Sequence, residues 1–135
     1  MDKELLGYKS RTIEVVTRQA PVAYMVFLRS MKIPYLVCGT QNLDLKEALV
    51  KLKRCFGIQT LAVCGGGIIN GAFLKAGLVD QVSLVVAPYV SGDPQRKRAF
   101  NTFGQFVDEQ FNIQDVKKLS DGGVHLLFKR AETIR

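Results

Sequence analysis

The sequence predicts an α/β fold: a mostly parallel sheet with flanking helices, finished by an antiparallel hairpin at the C-terminal end. Three observations carry that prediction. Short apolar, β-branched runs alternate with helical segments from Thr12 to Ala87. The last of these runs, Gln81 to Ala87, is almost wholly apolar, which calls for cover on both of its faces. Beyond it, Ser120-Asp121-Gly122-Gly123 separates two further strand-like runs in the manner of a hairpin turn.

In chain order, residues 1–10 are a mixed polar lead-in. Thr12 to Val16 has the β-branched character of a strand. Pro21 suits the first turn of a helix, expected over residues 21–31 from Val22, Met25, Val26 and Leu28. Ile33 to Cys38 is a second strand, closed by Gly39. Leu43-Asp44 opens an amphipathic helix with Leu45, Ala48, Leu49, Leu52 and Phe56 on one face. Its charged residues Lys46, Glu47, Lys51, Lys53 and Arg54 are expected on a solvated face, and Gly57 stops it. Thr60 to Cys64 is a third strand, followed by a glycine turn and a helix to about Lys75. Gly77 ends that helix, Gln81 to Ala87 is the fourth strand, and Pro88 closes it. A polar loop over 91–104 precedes strands at Phe111 to Leu119 and Val124 to Lys129, with a tail from Arg130.

Composition narrows the function classes. The 135 residues are 47% hydrophobic and 23% charged, as expected of one globular domain. There is no apolar run of signal-peptide type and none long enough to cross a bilayer, so a cytoplasmic protein with no membrane partner is expected. The net charge of +7 suits an anionic partner without choosing between nucleic acid and a phosphorylated small molecule. The basic residues are dispersed, including Arg96, Lys97 and Arg98 in a loop, and no aromatic platform interleaves with them. That argues against nucleic acid. Cys38, Cys55 and Cys64 have no C-x-x-C spacing and are expected to be buried reduced thiols. With His125 the single histidine, no zinc set can be assembled.

The stretch with most chemical content is Cys64-Gly65-Gly66-Gly67-Ile68, at a strand-to-helix junction. Glycines there can take positive φ or admit a close neighbour, and the helix that follows aims free N–H groups at the turn. The spacing matches neither G-x-G-x-x-G nor the P-loop. On local pattern alone, a phosphate site and a plain tight connection both remain open. In parallel α/β sheets ligands bind beyond the carboxyl ends of the strands. That rule places Thr17-Arg18, Gly39-Thr40 and Gly65-Gly66-Gly67 on one rim, where a hydroxyl, a guanidinium and two glycine turns suit an anion.

Leu61 to Gly67, then Asn70-Gly71, Gly77-Leu78-Val79-Asp80, Ala87-Pro88 and Ser91-Gly92, resemble the reductase domain of riboflavin biosynthesis. In that family the domain forms the C-terminal half of a bifunctional deaminase–reductase and has a dihydrofolate-reductase-like fold. The similarity is collinear from about Thr12 to Lys129, and Gly77-Leu78-Val79-Asp80 is its most specific part. The resemblance implies NADPH as cofactor and reduction of the ribosyl group of an aminopyrimidine ribosyl phosphate. By position it assigns the cofactor to Gly65, Gly66, Gly67 and Ile68, with Gly39 on the same rim. Thr17-Arg18 resembles the hydroxyl–arginine pair that holds the 2′-phosphate in dihydrofolate reductases, a task suited to the planar guanidinium.

Two departures stand beside it. Cys64 occupies the place where the family has a substrate-side Glu, and a thiol cannot reproduce a carboxylate's contacts. Residues 1–11 do not resemble the family's longer N-terminal portion, so the chain is expected to be a partial reductase domain over 1–135. The apolar strand at Gln81 to Ala87 then calls for cover, either from self-association, with a homodimer the expected partner, or from the rest of a longer polypeptide. The deaminase zinc signature is absent from the sequence. The alternative function is a non-catalytic or partial homologue that keeps only a nucleotide-binding or dimerising fold.

Overall fold

The computed structural model describes residues 12–92, 95 and 97–131. The expected lead-in over 1–10, Arg96 and the end of the tail lie outside the described residues. The chain forms two compact units, one running to Leu61 and the other from Ala62.

The N-terminal unit is a small β-α-β-α structure. Strand β1 (Glu14–Val16) pairs in parallel with β2 (Tyr35–Val37), with Val15 opposite Leu36. Helix α1 (Val22–Ser30) makes the crossover between them, starting at Pro21, whose missing N–H costs nothing there. Its mixed apolar spacing buries one residue, Leu28, at 1% exposure, while Val22 and Val26 face solvent. Lys32 ends α1 in the left-handed region at φ 55°, donating its N–H to the Arg29 carbonyl at 3.0 Å. Helix α2 (Leu45–Phe56) is the strongly amphipathic element. The Asp44 side chain caps it by accepting from the Glu47 N–H, and Gly57 closes it at φ 67°. Ala48 and Leu52 pack on Leu36 and Cys38, with Ile13, Val15 and Ile58 around them.

The C-terminal unit has helix α3 (Gly67–Lys75) and an antiparallel sheet in the order β3 (Gln81–Val86), β5 (Val124–Arg130), β4 (Phe111–Lys118). Gly77-Leu78-Val79-Asp80 is a structural joint. Gly77 at φ 66° donates to the Leu74 carbonyl and Leu78 to that of Phe73, both at 3.0 Å, which closes the end of α3. Asp80 then accepts from the Arg130 N–H at 2.8 Å as the chain enters β3. The expected hairpin forms, its turn closed by Leu119 donating to Gly123 and by Asp121 accepting from the Gly123 N–H. His125 contacts the Ser83 hydroxyl across β5 and β3 at 2.8 Å. Leu74, Val82, Phe100, Phe111 and Phe128 line a cavity of about 330 Å³.

Four expectations are corrected. The α/β character and the C-terminal hairpin hold, but among the described residues parallel pairing is confined to β1–β2. Val82 pairs antiparallel with Phe128, because the closing hairpin lays β5 against β3. Residues 60–64 form no strand: apolar residues permit an extended chain, but only pairing makes it a strand. Strand β3 is not covered on both faces, with Val85 at 59% exposure and Leu84 and Val86 also open. Its hydrophobicity marks a need for cover that is not met among the described residues. Finally, Arg130 is the last residue of β5 and not the start of a tail, since its N–H is held by Asp80.

Candidate functional site

Two stretches carry the candidate residues, one in each unit. In the N-terminal unit the ladder of β1 and β2 brings Thr17-Arg18 beside Gly39. Cys38 donates its N–H to the Val16 carbonyl at 2.8 Å, and Arg18 donates to the Gly39 carbonyl at 3.1 Å. Thr17 is half-buried and Arg18 exposed, so the guanidinium is available to solvent at the strand end. Gly39 lies at φ 79°, and a Cβ there would run into the backbone of Asn42 and Asp44. This turn requires glycine for both reasons.

Two side chains of α2 complete the turn. Glu47 accepts from the Gly39 N–H through Oε2 at 2.8 Å. Its Oε1 accepts from Lys51 Nζ at 2.7 Å, and Lys51 also donates to the Val37 carbonyl at 2.6 Å. The Lys51 hydrogen bond, then that from Gly39, holds the Glu47 carboxyl below its usual range, with Arg18 adding a smaller pull. Glu47 in turn raises Lys51. Composition and periodicity had put both on a solvated helix face. The correction has a simple cause: a Glu–Lys pair four residues apart shares one helix face and has long enough stems to reach back to the strand end. The Asp44-x-x-Glu47 spacing is a capping-box signal, but here the Glu reaches Gly39 instead of the cap's own N–H.

In the C-terminal unit, Cys64, Gly65, Gly66, Gly67 and Ile68 lead into α3. None of the three glycines takes positive φ. Gly66 is the N-terminal cap in extended backbone, and no side chain caps the helix. A Cβ on Gly65 would meet the Ile69 side chain, and one on Gly67 would meet the Arg98 carbonyl. A Cβ on Gly66 would meet nothing within 4 Å. The three glycines therefore differ in role. Gly67 and Gly71 make a seat for the segment at 98–101, which Asn101 fastens by donating to the Gly67 carbonyl at 2.8 Å and Asn70 by donating to the Ala99 carbonyl at 3.0 Å. Gly66 alone faces open space at a helix start, as a bound phosphate would require. Ile68 is exposed beside it.

The expectation of buried thiols holds for Cys38, at 0% exposure, whose thiol burial pushes above its ordinary range. It fails for Cys55 and Cys64, which are exposed. Cys55 lies on the outer side of α2, and Cys64 precedes the glycine turn in a stretch with no strand neighbour. No helix among the described residues is long and apolar enough to cross a membrane.

Comparison with known proteins bears on these stretches. The RibD C-terminal domain family matches residues 5–126. A 2,5-diamino-6-ribosylamino-4(3H)-pyrimidinone 5′-phosphate reductase of Methanothermobacter thermautotrophicus is 30% identical over 105 residues, 78% of this chain and 47% of that protein. A protein of the same name from Aquifex aeolicus is 30% identical over 68% of this chain and 41% of its own length. This chain thus spans about half the length of the curated relatives it matches. Among solved structures, a pyrimidine reductase-like protein of Corynebacterium diphtheriae superposes with a TM-score of 0.75 at 15% identity, over 89% of this chain and 50% of that one. RibD of Acinetobacter baumannii gives 0.68 at 23% identity, over 87% of this chain and 31% of that one. The structural likenesses establish the fold, and the match over residues 5–126 shows that the chain belongs to the RibD C-terminal domain family.

Proposed function

We propose that this protein is an NADPH-dependent reductase of riboflavin biosynthesis, acting on an aminopyrimidine ribosyl phosphate. The observation that carries this reading is Gly66: an uncapped helix start with open space above it, in a chain of this family. The names of the curated relatives, both reductases of such a substrate, support it. Taken separately, each unit offers residues suited to one charged group of a dinucleotide. The N–H groups at Gly66 to Ile68 suit the pyrophosphate. The Arg18 guanidinium, beside Thr17 and Gly39, suits a 2′-phosphate. When bound, the nicotinamide supplies the reducing electrons. The chain's task is to bind and orient it, which needs few acid–base groups. Cys64, exposed next to the glycine turn, is read as the substrate-side residue. The chain is read as a reductase domain acting in the cytoplasm.

A homodimer completes the proposal. Leu84, Val85 and Val86 on β3 and Ile113 and Val116 on β4 are exposed apolar residues of one sheet, and a second copy is the simplest cover for them. Light scattering tests it: a dimer that Val85→Asp converts to a monomer is expected, and a monomeric parent protein refutes it.

Calorimetric titration with NADPH and NADH tests the cofactor, and NADPH oxidation with the aminopyrimidine ribosyl phosphate tests the reaction. Binding of NADPH followed by turnover is the expected result. Binding without turnover favours the alternative, a nucleotide-binding partial homologue, which the thiol of Cys64 at the family's Glu position also favours. Failure to bind either cofactor defeats the cofactor reading and leaves only a dimerising homologue.

A further inference from the structure

The turn assigned to the 2′-phosphate already contains an anion of its own. Gly39 offers one backbone N–H at the rim, and the Glu47 carboxylate takes it at 2.8 Å. The Gly39 carbonyl accepts from the Arg18 N–H, so this carboxylate and the Arg18 backbone both bind the same residue of the turn. Lys51 bridges the other carboxylate oxygen and the Val37 carbonyl, which keeps Glu47 in place. Glu47 and Lys51 are each about one-third exposed, so their charges are felt at the rim and are only partly screened.

We propose that Glu47 is a specificity-determining residue for the cofactor, its carboxylate on the Gly39 N–H opposing the phosphate that distinguishes NADPH from NADH, with Lys51 as the positioning residue that moderates it. The proposal rests on the cofactor reading above and deepens it. The physical reason is general. At the end of a strand in α/β nucleotide sites, a carboxylate favours a free 2′-hydroxyl and a cation favours a 2′-phosphate. Here one turn carries both, Arg18 for the phosphate and Glu47 against it. The chain's preference between cofactors is therefore a balance of charges that single substitutions tip in opposite directions.

The test uses the full chain and titrates NADPH and NADH separately. Glu47→Gln keeps an acceptor for the Gly39 N–H while removing the charge and freeing Lys51. It is expected to raise the preference for NADPH over NADH roughly fivefold. Lys51→Gln removes the balancing cation and is expected to lower the preference by a similar factor. A purely structural role would weaken both cofactors together and leave their ratio unmoved. Ratios within twofold of the parent protein in both variants overturn the proposal. Circular dichroism identifies a variant that fails to fold, and the other variant then decides by the same criterion. If the parent protein binds neither cofactor, the cofactor reading fails and this proposal with it, a result distinct from binding with unmoved ratios.

Discussion

The two turns that carry the candidate site solve the same local problem in opposite ways. At Gly39 both backbone groups of the glycine have partners within the chain, Arg18 on the carbonyl and Glu47 on the N–H, and Asp44 caps the start of α2. At Gly66 the start of α3 has no side-chain cap, and the space above it is open. A helix start left uncapped retains N–H groups and a dipole that an incoming anion can use. A turn held by its own carboxylate is better suited to discriminate than to attract. Glycine content alone does not separate the two cases, because Gly39 and Gly67 exist to let backbone pack on backbone and Gly66 does not.

Substitutions at these glycines separate the two kinds of turn most sharply. Gly39→Val combines a left-handed φ with a collision against the Asn42 backbone, and is expected to cost at least about 3 kcal/mol. Urea denaturation followed by circular dichroism measures it, and a loss below half that value would mean the turn can relax. Gly66→Val is expected to lower NADPH affinity a hundredfold or more, because the side chain fills the phosphate's approach. Stability should fall by less than about 1 kcal/mol, as the backbone at Gly66 is extended and uncrowded. Equal losses of stability at Gly39 and Gly66 would erase the distinction between the turns.

The charge network at Gly39 predicts a pH dependence that the Gly66 turn should not share. The Glu47 carboxyl is lowered in the folded protein, so its contribution is fully present above the ordinary carboxylate pKa of 4.5. It is lost as pH falls through the lower folded value. Lys51 is raised, so its contribution is present below 10.5 and is lost at still higher pH. Glu47→Gln should flatten part of the acid limb in pH-dependent melting, and an unchanged limb would show that the carboxylate does not stabilise the turn.

Two smaller effects refine the picture. In the native protein Cys55 and Cys64 should react readily with a thiol reagent while Cys38 reacts only on unfolding. If NADPH then slows modification of Cys64 but not of Cys55, the glycine turn is where the cofactor lies. Lys32→Gly should stabilise the end of α1 by up to about 1 kcal/mol, because it relieves a side chain held at positive φ. A melting temperature that falls would show that the Lys32 side chain contributes more than its backbone costs.

Much of this architecture was legible from residue patterns. The amphipathic period of α2, its Asp44 and Gly57 ends, the Asp121-Gly122 turn and the joint at Gly77 are local signals, and local geometry obeyed them. The glycine turn and Thr17-Arg18 were also visible as candidates. Glu47 and Lys51 were hidden because a surface-type pair four residues apart looks the same whether it faces water or a strand end. The strand expected at 60–64 failed for a related reason, since pairing depends on a partner that no local pattern supplies.

What the sequence determined by itself was therefore the set of helices, turns and ending strands, together with the family to which they belong. Only the tertiary structure decided how the strands pair, which glycine faces open space, and which carboxylate sits on the Gly39 turn. The physical reason is range. Helix periods, caps and hairpin turns are satisfied by neighbours within a few residues. Sheet order, glycine packing and the reach of Glu47 to Gly39 depend on contacts between segments that only folding brings together.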